Sequence, residues 1–319
     1  RSGSVTGVQT CALPICLMSM LQADPANALL RRQCVDVAAS LGKFDVVTHL
    51  AESALTANSA DAGAHFDMAT GLIGNREYRA ALAVLEKLEQ LVGESVPIQL
   101  NMALCHYCLV EFDRARPRLE CCYRSGSRDS GLVRLLVSTY HHLGAMEDAV
   151  KVAGENAEIA ASDGALAGVY ALLYLDTDDA ARATRWAKLA LELNPKSIDG
   201  RVTQATLLTA GMQLDSARQM FEGVLMDVPD TGRAWIGLGA LSLLTRDLTT
   251  AKIQISRGLE LMPTHIGSWH VLAWAQLLSG DLDAACSTFE TALAADRNFA
   301  ESHGGLGVIA AMRGDKTRF

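Results

Sequence analysis

The sequence predicts an all-α solenoid of stacked 34-residue helix–turn–helix units, and three columns of residues predict it. Pro195, Pro229 and Pro263 stand 34 residues apart, and five further periods back from Pro195 fall on Pro25. Ala81, Ala115, Ala149, Ala183, Ala217, Ala251 and Ala285 recur at the same interval, seven in succession. A third column, 12 residues ahead of the alanines, holds only small residues: Val35, Ala69, Ala103, Val137, Ala171, Ala205, Gly239, Ala273 and Gly307. Chance does not place alanine seven times in register.

Composition agrees. Half of the 319 residues are hydrophobic, only 5% are aromatic and 7 are proline, which favours helices over strands. The net charge of −8, with no basic stripe, argues against nucleic acid as a partner. No run of 18 apolar residues is present, so no membrane span is expected. The eight cysteines do not follow a secreted disulfide spacing. Reduced thiols in a cytoplasmic setting are the simpler reading.

The elements follow in chain order. Val5 to Ile15 read VTGVQTCALPI, which looks like a translated sequencing adaptor, so residues 1–16, Cys11 included, are set aside as non-native, with a genuine disordered tail as the alternative. Residues 17–27 fit the tail of an earlier repeat, with Leu17, Met20 and Leu21 on its apolar face. The natural protein is therefore expected to extend upstream. Eight units are expected at 28–61, 62–95, 96–129, 130–163, 164–197, 198–231, 232–265 and 266–299. A partial ninth spans 300–319 and loses the pattern at Lys316 and Phe319.

Each unit holds two apolar-periodic stretches split by a short turn. Gly42, Gly144, Gly280 and Gly314 share one turn position, where a positive φ is useful. Three residues ahead of the alanine column or its equivalent, Phe44, Tyr78, Phe112, Met146, Ala180, Leu214, Leu248 and Leu282 form an apolar column. Proline ends the second helix, because the residue before it is pushed out of the α region. The small columns mark close helix approaches, where a larger side chain would cost ~1–3 kcal/mol. One helix pair cannot bury its own apolar faces; stacking against neighbours does so.

These columns resemble the tetratricopeptide (TPR) family, whose 34-residue pattern is W-x2-L-G-x2-Y…A-x3-F…P. One unit offers Trp235, Leu238, Gly239, Ala251, Leu259 and Pro263, and the next Trp269, Leu272, Ala273, Ala285, Phe289 and Leu293. Another gives Tyr140, Gly144 and Ala149. The pattern's tyrosine survives only as Tyr140 and Tyr174, and Arg297 replaces the last proline.

The resemblance implies a fragment of a bacterial-type array. It implies a right-handed superhelix, its concave groove lined by the second, fifth, ninth, twelfth and thirteenth residues of each unit. Those positions hold Phe66, Thr70 and Ile73; Leu100, Leu104, Tyr107 and Cys108; Arg134, Ser138, His141 and His142. Further along they hold Leu172, Leu175 and Asp176; Asp199, Thr206 and Thr209; Arg233, Ile236, Leu243 and Leu244; His270, Trp274, Leu277 and Leu278. The lysines and asparagines with which some relatives clamp a peptide carboxylate are missing, which disfavours chaperone tails.

A groove of this kind suits an apolar or amphipathic peptide, laid in as helix or strand. The candidate contacts are Tyr107, Arg134, His141, His142, Leu172, Leu175, His270 and Trp274, with Trp274 as the aromatic anchor. Individual groove leucines have packing against the next turn as an equal alternative. Trp235 and Trp269 occupy a structural column and read as core; Trp186 reads as packing or convex surface.

Cys105-His106-Tyr107-Cys108, followed by Cys121 and Cys122, raises a metal or redox reading. Consecutive helical residues point about 100° apart, so Cys121 and Cys122 cannot easily aim at one ion. Buried thiols acting as small hydrophobes are the stronger expectation, with no metal and no cofactor. No phosphate loop, nucleophile elbow or HExxH motif is present. The expectation is a protein-binding scaffold rather than an enzyme. The alternative is a regulatory arm of a larger enzyme, such as a glycosyltransferase, whose catalytic part lies elsewhere.

Overall fold

The computed structural model describes residues 17–24, 26–295 and 297–314, and every regular element among them is an α-helix. The adaptor-like run, Cys11, Pro25, Lys316 and Phe319 lie outside the described residues.

The chain divides into two compact units. The first, ending at Asn156, opens with α1 (residues 17–23). Four hairpins follow: α2 (Ala28–Ser40) with α3 (Phe44–Ala57), α4 (Ala62–Gly74) with α5 (Tyr78–Val92), α6 (Val96–Cys108) with α7 (Phe112–Arg124), and α8 (Ser130–His142) with α9 (Met146–Glu155). The second unit opens with α10 (Ala157–Ala160). It continues with α11 (Gly164–Asp176) and α12 (Ala180–Leu193), α13 (Ile198–Ala210) and α14 (Leu214–Asp227), α15 (Gly232–Leu244) and α16 (Leu248–Leu261), α17 (Ile266–Leu278) and α18 (Leu282–Ala295), then α19 (Ala300–Arg313). The division falls where the helix after Met146 is interrupted. Asn156 is buried there, its amide donating to Val152 O at 2.8 Å and to Tyr123 Oη at 2.8 Å.

Local chemistry sets the helix ends. Asn27, Asp61, Asp129, Asp163, Ser197 and His265 stand just ahead of six first helices and accept a backbone N–H two or three residues on. Each such cap contributes about 1 kcal/mol. Residues Asn194, Val228 and Met262 precede the column prolines and leave the α region, with ψ of 95°, 90° and 64°. The proline ring excludes the α conformation there.

The hairpin turn holds a finding the glycines only half announce. Gly42, Gly144, Gly280 and Gly314 have φ between 69° and 80°. The equivalent residues of the other five hairpins are Arg76, Val110, Asp178, Met212 and Arg246, and they adopt φ between 57° and 65°. The turn geometry is imposed by the hairpin, and five side chains accept left-handed strain to follow it.

Within each unit a first helix packs on its own partner helix and on the next hairpin. All seven column alanines are 0% exposed. Complementary volumes seal two junctions. A Cβ on Gly237 would lie 2.2 Å from Phe221 Cζ, and one on Gly305 would lie 2.3 Å from Phe289 Cζ. Phe221 and Phe289 are fully buried, so each aromatic of one second helix occupies the space freed by a glycine on the next first helix. Trp235 and Trp269, expected in the core, are half-buried. Their indole N–H groups donate to Pro229 O and Pro263 O at 2.8 Å, tying each first helix to the preceding turn. His65 and His303 reach Ser59 O and Arg297 O from the same register, at 3.0 and 2.9 Å. Trp186 is buried, edge-on to Tyr170.

Candidate functional site: the groove-register side chains

In the first unit the candidate residues gather at one end of α6 and α8. Phe112, the first residue of α7, stacks flat on His142, with centroids 4.4 Å apart and planes 4° apart. Tyr107 meets both edge-on, at 5.4 Å from Phe112 and 5.8 Å from His142. Tyr107 Oη lies 3.3 Å from His142 Nε2. His141 follows at 6.3 Å from His142. Phe112, on no groove position, is the member that sequence reasoning missed; its apolar column gives no sign that it stacks on a histidine at the far end of the next helix. Arg134 lies two turns earlier on α8, half-buried. Phe66, Ile73, Leu100 and Leu104 are also half-buried, and Phe66 and Ile73 pack on a core of Leu85, Ile98 and Met102.

Arg31, Arg32, Asp36, Asp61 and Asp67 form an ion network at the start of this unit. Asp67 is 2% exposed and accepts from Arg32 Nη1 at 2.8 Å, with Arg31 Nε at 3.9 Å. Burial nevertheless pushes its carboxyl above the usual range, against the pull of both arginines.

In the second unit the candidates separate into buried and exposed sets. Leu172 packs on the core around Phe221, and Leu175 is half-buried. His270, expected as a groove contact, is 7% exposed with Nε2 2.7 Å from Ser302 Oγ. Its ring meets Phe289 at 5.8 Å and Phe299 at 4.8 Å between centroids, so repeat packing occupies it. Burial holds its pKa down, with Glu301 opposing. Trp274 is 36% exposed and lies edge-on to Phe289, with centroids 5.7 Å apart.

Around Trp274 the exposed large apolar residues fall in register. Leu244, Leu278 and Met312 are each the thirteenth residue of a first helix, and Trp274 and Val308 each the ninth. Their exposures are 49%, 58%, 57%, 36% and 40%. The 34-residue period alone places Val308 and Met312 in this stripe, although they belong to the partial ninth repeat. Gly304, at the fifth position of α19, has nothing within 4 Å of an added Cβ, so the stripe has an open floor beside it.

The four cysteines of α6 and α7 differ in exposure. Cys105 and Cys122 are buried, Cys108 and Cys121 exposed. Burial, with Cys108 nearby, pushes the Cys105 thiol up to about 12, and burial also raises Cys122. Among the described residues no group of three or more His, Cys, Asp or Glu is placed to hold a metal ion. No described helix is long and apolar enough to cross a membrane.

The elements and their stacking define an all-helical repeat scaffold. A tetratricopeptide-repeat family model matches residues 270–319. The structure is similar to one solved as the APC/C hetero-tetramer Cut9–Hcn1, with TM-score 0.64 and 12% identity. That likeness covers 91% of this chain and 58% of the other, so this chain spans less than two thirds of its length. It is also similar to a tetratricopeptide repeat protein from Parabacteroides merdae ATCC 43184, with TM-score 0.54, 14% identity, and 78% and 98% of the two chains covered. No curated protein matches the sequence. These likenesses support the tetratricopeptide resemblance read from the repeat columns, and at this identity the solved structures speak for the fold.

Proposed function

We propose that this chain is a protein-interaction scaffold whose second unit binds an amphipathic helical peptide along Leu244, Trp274, Leu278, Val308 and Met312. The supporting observation is the register. Five large apolar side chains stand exposed at two equivalent positions of three successive first helices. Helices packed side by side are ~8–10 Å apart. Seven residues of a ligand helix advance about 10 Å, so apolar residues seven apart would meet successive repeats. An apolar residue exposed singly is ordinary; a row of them on a repeat is a docking signal. The first unit by itself offers a separate, more polar and aromatic surface at Tyr107, Phe112, His141, His142 and Arg134.

The test is selection from a random peptide display library on the immobilised full chain. The reading expects enrichment of helical peptides with apolar residues at i, i+3 or i+4, and i+7. Trp274→Glu or Leu278→Glu should weaken a selected peptide by roughly 30-fold, as for the loss of a hot-spot contact of about 2 kcal/mol. Absence of enrichment, or affinities unchanged in both variants with helical content intact, overturns it.

A further inference from the structure

The geometry points to an ion-pair latch between Asp176 and Arg233 that sets the curvature of the second unit. Asp176 closes α11, and Arg233 is the second residue of α15. Arg233 Nη1 donates to Asp176 Oδ1 at 3.1 Å, and Nη2 donates to Oδ2. The two residues are 57 positions apart, and the helices that carry them both pack on α13 between them. The pair therefore reaches over a whole repeat.

In a stacked array each repeat normally contacts only its neighbours, so the hinge at each junction relaxes independently. A link between second neighbours removes that independence. The α11–α13 and α13–α15 junctions can open together only if the guanidinium leaves the carboxylate. The two-point fork also fixes the approach angle, which a single contact would not. Exposures of 22% and 20% shield the pair partly from salt, so it persists at ordinary ionic strength. The spanned helix leaves room for it. Thr206 and Thr209 occupy its groove-register positions, and their hydroxyls turn back onto Val202 O and Ala205 O at 2.9 Å.

Two residues at equivalent places on α12 and α16, Arg185 and Ile253, are exposed and report the span between the flanking repeats. Spin labels on bioorthogonal side chains at these positions of the full chain would be measured by pulsed electron resonance. A hinge change of ~10° at each junction, over helices ~10 Å apart, moves the labels by about 3 Å. Asp176→Asn and Arg233→Gln should each shift the mean distance by that amount and broaden its distribution. The charge swap Asp176→Arg with Arg233→Asp should return both toward the wild-type values. Distributions superimposable on wild type in both single variants overturn the latch. Should a single variant lose helical signal, Asp176→Glu takes its place: it keeps the charge while displacing the fork, and an unshifted mean distance there likewise overturns it.

Discussion

Val110→Gly is the substitution for which the fold and elementary backbone energetics predict a sign opposite to intuition. Val110 is β-branched, 70% exposed, and sits at φ 62° in the turn between α6 and α7. An L-residue in this region costs ~1–2 kcal/mol, and a β-branched one lies at the upper end. Glycine removes that cost but loses ~0.5–1 kcal/mol to the greater freedom of the unfolded chain. The partly covered side chain contributes about 0.5 kcal/mol of burial, a fraction of a whole valine's. The balance is a stabilisation of about 0.5–1 kcal/mol. Val110→Ala relieves only the β-branched part of the strain and loses the burial, so its stability should stay close to wild type and below that of the glycine variant. Repeat arrays need not unfold in one step, so the assay is native-state hydrogen exchange resolved over α6 and α7, beside urea unfolding. Exchange there should slow roughly 2–5-fold in the glycine variant. A glycine variant less protected than wild type, or no better than alanine, refutes the strain argument.

Gly237→Ala should destabilise the second unit by ~1–3 kcal/mol through overpacking against Phe221, and Phe221→Leu in the same chain should recover most of it. Gly304→Ala, whose Cβ meets open space, should instead gain up to about 1 kcal/mol from helix propensity, so urea titrations of the two variants must move in opposite directions. His270 is held neutral by burial, with its folded pKa below the unfolded value of about 6.5. Its contribution is complete above that value and is lost as pH falls through the folded pKa, so exchange protection of α17 and α19 should drop between pH 7.5 and 5, and His270→Gln should flatten the drop. Maleimide at pH 7.5 should modify Cys108 and Cys121 in the folded chain and reach Cys105 and Cys122 only after unfolding. Equal labelling rates would contradict the burial described.

The periodic part of this fold was open to reading because close packing allows only small residues at fixed intervals. Ala81 and its six counterparts announce the stacking directly, and all seven are excluded from water. What the columns could not convey was compensation between columns. Phe221 needs Gly237, yet each residue alone reads as an ordinary member of its helix. Likewise the glycines of the hairpin turn suggested a preference, whereas Val110 and Met212 show that the backbone geometry is obligatory even without glycine. At the candidate site, position within the repeat located the surface but not the fate of each side chain. His270 and Trp274 are one turn apart on α17; the first is drawn into Ser302 and Phe299, and the second remains 36% exposed. Such outcomes depend on which neighbour offers a hydrogen-bond partner, and a single repeat does not contain that information. The Asp176–Arg233 pair, spanning two repeats, lies beyond any one period of the pattern.

The most direct measurement places a photo-crosslinking side chain at Leu278 in one chain and at Ile253 in another, each mixed with a display-selected peptide. Both positions are exposed, at 58% and 67%, but only Leu278 belongs to the apolar stripe. A crosslink is expected from Leu278, abolished by excess unlabelled peptide, and none from Ile253. Crosslinking from Ile253 with Leu278 silent would contradict it.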